Sequence, residues 1–163
     1  MDPMASAPPT AWTDHTLRTL DHAGYRSSSA RTAVVELLGR QDCCVTAREI
    51  ADELREQGRS VGIATVYRAL ELLDELRLVQ RLDAGEGVVR YEPALPDGAH
   101  HHHLICHRCG EVTAFEDERL EQAIAALSQR LDHVVDGHDV VLRGVCARCR
   151  DAGADARAPG AHG

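Results

Sequence analysis

Two Cys-x-x-Cys pairs, Cys106/Cys109 in "CHRCG" and Cys146/Cys149 in "CARC", constrain this chain more than any other feature. A tight turn aims both sulfurs of such a pair at one point, so two pairs supply the ligand set of a closed structural zinc site. The 36 residues between Cys109 and Cys146 exceed the spacing of a zinc ribbon. The metal is therefore expected to tie the end of a small domain to its beginning, with helix and strands between. The competing use, a thioredoxin-type redox pair, needs a βαβ setting that the flanking segments lack. The opening "MDPMASAPPTAWTD" has no basic and no apolar signal region. Without export, the six cysteines are expected to serve as thiols or metal ligands, and a cytoplasmic location follows as an expectation. No run of 18 apolar residues occurs, so no membrane association is expected.

Upstream of the cysteines the pattern is helical. "DHTLRTLDHAG" is amphipathic and ends at Gly24, a plausible left-handed stop. "SSSARTAVVELLGR" opens on serine caps, with Val34, Val35, Leu37 and Leu38 as its apolar face. "VTAREIADELREQG" begins with a capping box, Thr46 and Glu49, and stops at Gly58. In "VGIATVYRALELLDELRLV", Ile63, Val66, Leu70 and Leu73 form one stripe, with Arg68 nearly opposite and Tyr67 on the flank. "LVQRL" and "VVRYE" then alternate as strands around "DAGEG", a hairpin signal. Helices followed by a hairpin suggest a winged helix-turn-helix, although any three-helix cluster shares much of the pattern. Beyond "LPDGA", "HHHHLIC" and "EVTAF" read as strands. "DERLEQAIAALSQRL" reads as a helix with Leu120, Ile124, Leu127 and Leu131 in line, and "HDVVLRGVC" as a last strand.

Side chains alternate along a strand, so His101 and His103 share one face and His100 and His102 the other. Four adjacent imidazoles cannot gather around one ion along an extended strand, but two pairs can serve two. Each pair needs further ligands, and Glu92, Glu121 and His138 are the candidates. An internal, short run abutting a Cys-x-x-Cys is unlike a purification tag, and clustering favours ligation over a solvated edge.

Together, "GIATVYRALELLDE", "HHHHLICHRCG" and "GVCARC", in this order, resemble the ferric uptake regulator family, most closely its zinc-sensing branch. The resemblance runs from about Leu17 to Cys149. It implies an α+β chain: an N-terminal winged helix-turn-helix domain (13–92), a hinge (93–99), and a C-terminal α/β metal-binding dimerisation domain (100–150), with disordered tails at 1–12 and 151–163. It implies a homodimer that binds a double-stranded DNA operator and represses metal-uptake genes when loaded with metal, with no small-molecule substrate. Residue by residue, Cys106, Cys109, Cys146 and Cys149 match a structural zinc site. Glu92, His101 and His103 match a regulatory site at the hinge. His100, His102, Glu121 and His138 match an additional site. Tyr67 and Arg68 match base-reading positions, Thr65 is a further DNA-binding candidate, and Arg26 matches a residue that reaches the minor groove. The chain departs from the family in two places. Cys44 stands where members frequently place a histidine ligand, and Ala114 where they often place an acidic one. A regulatory set of Cys44, Glu92, His101 and His103 suits Zn²⁺ as corepressor. Fe²⁺ or Mn²⁺ would miss the lost carboxylate. Cys43 is an alternative ligand to Cys44, and both cysteines could instead be small buried apolar residues.

The formal charge of −8 opposes indiscriminate DNA binding. It is unevenly spread: Arg18 to Arg68 holds eight Arg against seven acids, whereas the chain after Arg90 holds seven against twelve. An enzyme is not expected. A zinc hydrolase keeps an open coordination position, and neither His-Glu-x-x-His nor a deaminase signature is present. A metal buffer would not need the Tyr67–Arg68 helix.

Overall fold

The computed structural model describes residues 9–95 and 101–155, and the chain divides into two compact units, Met1–Ala99 and His100–Gly163. The first unit holds helices α1 (Pro9–His22), α2 (Ser29–Leu38), α3 (Ala47–Glu56) and α4 (Ile63–Glu75), with strands β1 (Val45–Thr46), β2 (Val79–Asp83) and β3 (Val89–Pro93). Its sheet is antiparallel in the order β1-β3-β2, with Val45 opposite Tyr91 and Gln80 opposite Glu92. Val34, Val35 and Leu37 of α2, Ile50 and Leu54 of α3, and Val66, Leu70 and Leu73 of α4 meet in one core, closed by Leu78, Val79 and Tyr91 of the wing.

Helix ends follow local chemistry. Gly24 and Gly58, both at positive φ, follow α1 and α3 in the left-handed conformation. The next amides reach back to Leu20 and Leu54, satisfying carbonyls the helix leaves open. Thr46 and Glu49 form the expected capping box, each side chain accepting from the other residue's N–H. The α2 cap differs from expectation: Ser28 stands at the N-cap, yet its hydroxyl makes no capping bond. Ile63 also differs, being 43% exposed, because it lies in the first turn of α4, beyond the reach of the core.

The first tail is shorter than expected. Helix α1 already starts at Pro9, and Trp12 is buried with its indole N–H donating to the Leu78 carbonyl at 3.0 Å. The Ala- and Pro-rich composition of "MDPMASAPPTAW" hides the role of Trp12, whose burial anchors the start of this helix. On the same helix Thr16 is fully buried and its hydroxyl has no hydrogen-bond partner. An orphaned buried hydroxyl costs about 1–3 kcal/mol. Thr16→Val, of the same shape, should therefore stabilise this unit by about 1 kcal/mol, read as a higher melting temperature of its helical signal. A lower melting temperature would contradict it.

The second unit holds β4 (His102–Cys106), β5 (Val112–Phe115), α5 (Glu118–Arg130), β6 (Val141–Gly144) and α6 (Ala147–Asp155). Its sheet runs β5-β4-β6, with β4 antiparallel to β5 and parallel to β6, so α5 lies within the crossover between the parallel pair. Helix α6 corrects a second tail boundary: residues 151–155, expected to be disordered, continue the helix that starts beside Cys146. The last strand is also shorter than expected, and His138 lies in the loop before it. Among the described residues this unit buries only His102, His103, Ile105 and Cys106. Leu120 and Ile124 on α5 are half-buried, while Leu127 and Leu131 are exposed, as are Leu104 and Leu142 on the sheet.

Candidate metal centres

The Cys106–Cys109 turn is built by backbone bonds. The Gly110 N–H, at φ 74°, donates to the Cys106 carbonyl at 2.8 Å, and the Cys106 N–H donates to Glu111. Parallel pairing of Cys106 with Gly144 carries Cys146 to the same point. All four sulfurs lie within 4.8 Å of one another, and Cys109 Sγ is 3.8 Å from Cys146 Sγ. Zn–S bonds of about 2.3 Å at tetrahedral angles place sulfurs about 3.8 Å apart, so the donor set fits zinc in size and chemistry. The Cys146 N–H donates to Cys106 Sγ at 3.3 Å, and this bond leads those that hold the Cys106 thiol down at about 6. Cys149 is pushed up to about 12 by the neighbouring sulfurs of Cys109 and Cys146. Cys106 is thus the thiol most readily ligated as thiolate, and Cys149 releases its proton to solvent when it binds metal.

Sequence reasoning missed the cations around these thiolates. Arg108 Nη1 donates to the Cys149 carbonyl at 2.8 Å. Arg148 Nη2 reaches Cys109 Sγ at 3.9 Å and Glu111 at 3.2 Å. The signal was present, since an arginine sits inside each Cys-x-x-Cys, and four thiolates around Zn²⁺ carry an excess negative charge that arginines offset.

Among the described residues of the histidine run, His101 and His103 separate from His102 as strand alternation requires. The rings of His101 and His103 meet edge to face at 4.8 Å, on one side of the strand. His102 is 1% exposed and its Nε2 lies 2.6 Å from Glu121 Oε1. His138 Nε2 approaches the same carboxylate at 3.0 Å. These three donors cluster within 4.8 Å and fit a nitrogen- and oxygen-ligated divalent ion. Glu121 reaches them because the side chain of Asp117 caps α5 by accepting from the Leu120 N–H, which fixes the first helical turn. His100, the fourth member expected here, lies outside the described residues.

Within the first unit, Cys44 is buried beside β1 and Glu92 is 5% exposed on β3, with their donor atoms within 4.8 Å. Cys43 Sγ lies 3.8 Å from Cys44 Sγ. That contact first, then burial, and then the charge of Glu92 push the Cys44 thiol well above its usual range. Arg90, also absent from the sequence reading, donates to the Cys44 carbonyl at 3.2 Å and to Glu49 at 3.3 Å, tying the cysteine loop to the α3 capping box. On β5, Ala114 pairs with His103, so that position offers the His103 face no carboxylate.

On α4, Tyr67 and Arg68 are exposed, while the helix buries Val66, Ala69 and Leu70 beneath them. Arg68 Nη2 donates to Thr65 Oγ1 at 3.0 Å, which pairs two of the expected DNA-binding residues in one turn. Arg26 is exposed ahead of α2, its carbonyl accepting from Arg31 at 3.0 Å. No described helix is long and apolar enough to cross a membrane.

Comparison with known proteins gives the family of the chain. Residues 22–143 match the model of the ferric uptake regulator family. The ferric uptake regulation protein of Bacillus subtilis is 33% identical over 138 residues, covering 83% of this chain and 93% of that protein. The crystal structure of the Vibrio cholerae ferric uptake regulator superposes with a TM-score of 0.71 at 31% identity, covering 79% of this chain and 98% of that one. The Helicobacter pylori ferric uptake regulator, whose structure has three functional metal binding sites, shares the fold with a TM-score of 0.77 at 24% identity, covering 92% and 97%. The chain therefore belongs to the ferric uptake regulator family: a metal-binding transcription regulator and not an enzyme, with an N-terminal DNA-binding domain and a C-terminal dimerisation domain.

Proposed function

We propose that the chain is a dimeric repressor of metal-uptake genes that binds palindromic operators when a regulatory site of Cys44, Glu92, His101 and His103 is loaded, with Zn²⁺ as corepressor. The observation that carries the reading is the donor set on either side of the hinge. A soft thiol and a carboxylate lie together in the helical unit, and a histidine pair lies together in the other. A metal that takes ligands from both restricts the hinge angle and shifts the population toward the DNA-competent arrangement. In a dimer that arrangement brings both α4 helices to successive major grooves. Tyr67 and Arg68 then read bases, with Thr65 beside them, while Arg26 and other arginines contact the backbone or minor groove. Cys106, Cys109, Cys146 and Cys149 hold a structural Zn²⁺, and His100, His102, Glu121 and His138 an additional ion. The exposed Leu104, Leu127, Leu131 and Leu142 support a second copy as the partner of this unit.

Zinc is favoured over iron by two features. Cys44 offers sulfur where the resemblance expects imidazole, and Ala114, opposite His103, offers no oxygen for a five- or six-coordinate ion. Iron is the second reading, because the similar proteins named above are ferric uptake regulators. The test is operator affinity by fluorescence anisotropy, with the four-cysteine zinc in place and Zn²⁺, Fe²⁺, Mn²⁺ or Ni²⁺ added separately. Zinc should raise affinity at the lowest free concentration, and the log of the affinity should fall steeply with log salt. Equal operator affinity with and without added metal would overturn the repressor reading. A lower threshold for Fe²⁺ would overturn zinc alone.

A further inference from the structure

We propose that Cys43 and Cys44 bind the regulatory ion together, as a two-thiolate chelate for a soft divalent cation, rather than one cysteine serving as a single ligand. The inference rests on the regulatory site proposed above and puts Cys43 in the place of Glu92 among its four ligands, so that the ion stays four-coordinate. Cys43 Sγ and Cys44 Sγ are 3.8 Å apart, the separation between Cys109 Sγ and Cys146 Sγ across the four-cysteine site. It is also the edge of a tetrahedron with two bonds of about 2.3 Å to zinc. Adjacent residues on an extended strand would point to opposite faces. The two cysteines escape that rule because Cys43 lies in a bend before β1 begins at Val45, which turns both sulfurs to one side. The bend is held from outside, since Arg90 on β3 binds the Cys44 carbonyl and also the capping carboxylate of α3. Glu92, whose oxygen lies within 4.8 Å of Cys44 Sγ, then offsets the charge of the cation from outside its four ligands. Burial differs within the pair: Cys44 is 4% exposed and Cys43 is half-buried, so the ion can enter past Cys43. Binding replaces two S–H bonds with two metal–sulfur bonds and releases two protons to solvent. Two thiolates favour zinc and its softer congeners, and they disfavour Fe²⁺ and Mn²⁺, which prefer nitrogen and oxygen.

The experiment uses the full chain with its four-cysteine zinc retained, confirmed by metal analysis, and Co²⁺ as the spectroscopic probe of the regulatory site. The intensity of thiolate-to-cobalt charge transfer counts sulfur ligands. Wild type should show a two-sulfur band, Cys43→Ser and Cys44→Ser each about half of it, and the double variant none. A full-strength band in Cys43→Ser overturns the chelate while leaving Cys44 as a single ligand. A wild-type chain with no band overturns it together with Cys44 ligation. The repressor reading is judged separately, by whether operator binding of the wild type depends on metal. Should a variant fold poorly, maleimide labelling of the wild type decides the matter: added Zn²⁺ must protect both Cys43 and Cys44, and a Cys43 labelled at its metal-free rate overturns the inference.

Discussion

Removing the structural zinc proposed for Cys106, Cys109, Cys146 and Cys149 should unfold the C-terminal unit and leave the helical unit folded. The unit's own core is small: among the described residues only His102, His103, Ile105 and Cys106 are buried, and α5 buries no residue. A structural zinc contributes on the order of 10 kcal/mol or more, comparable with the whole stability of a typical domain, about 5–15 kcal/mol. Loss of the metal therefore exceeds anything the apolar contacts can offset. The helical unit has a separate core from Trp12 to Tyr91 and no share in these ligands. Chelation, or Cys106→Ser, should expose residues 101–150 to limited proteolysis while residues 11–92 stay protected. Cys106 is the sensitive choice because the Cys146 N–H bonds its sulfur, so serine disturbs both pairs. Arg148→Ala, which removes one charge at 3.9 Å from Cys109, should weaken zinc retention far less. A C-terminal unit still resistant to protease after metal analysis shows zinc gone would contradict this account.

The second large effect is expected on DNA. His101→Ala with His103→Ala should reduce operator affinity in the presence of metal to its metal-free value, a drop on the order of 10- to 100-fold for a coupling of about 1–3 kcal/mol. The four-cysteine zinc should remain, because the cluster of Cys106, Cys109, Cys146 and Cys149 takes no donor from either ring. Arg68→Ala provides the contrast. It removes an exposed side chain of α4 and should weaken specific binding by about 1–3 kcal/mol per half-site in every metal state, leaving metal affinity unchanged. If the histidine variant still gains affinity when metal is added, the switch lies elsewhere. Loss of metal binding in Arg68→Ala would mean that the helix and the switch are not separable.

Legibility differed between the two units. Alternation was enough to separate His101 and His103 from His102, because period two is a property of extended backbone and needs no tertiary information. The capping box at Thr46 and Glu49 was equally readable, since both partners are three residues apart in one helix. Burial at Ile63 was misjudged because a helical stripe says which side faces inward, not how far along the axis the core extends. Trp12 was missed because its partner, the Leu78 carbonyl, is 66 residues away. The pairing of Cys43 with Cys44 was out of reach as well. Only the bend before β1 turns the two sulfurs together.

The amino-acid order by itself determined the spacing of the two cysteine pairs, the separation of His101 and His103 from His102, the helix stops at Gly24 and Gly58, and the family. These depend on local chemistry, on backbone periodicity, and on motifs whose order is specific. The tertiary structure decided which distant groups meet: Glu121 and His138 at His102, Arg90 at the Cys44 loop, and the arginines at the thiolates. Those meetings follow from strand register and helix placement. Both are set by packing summed over many residues, a sum that no short stretch of sequence contains.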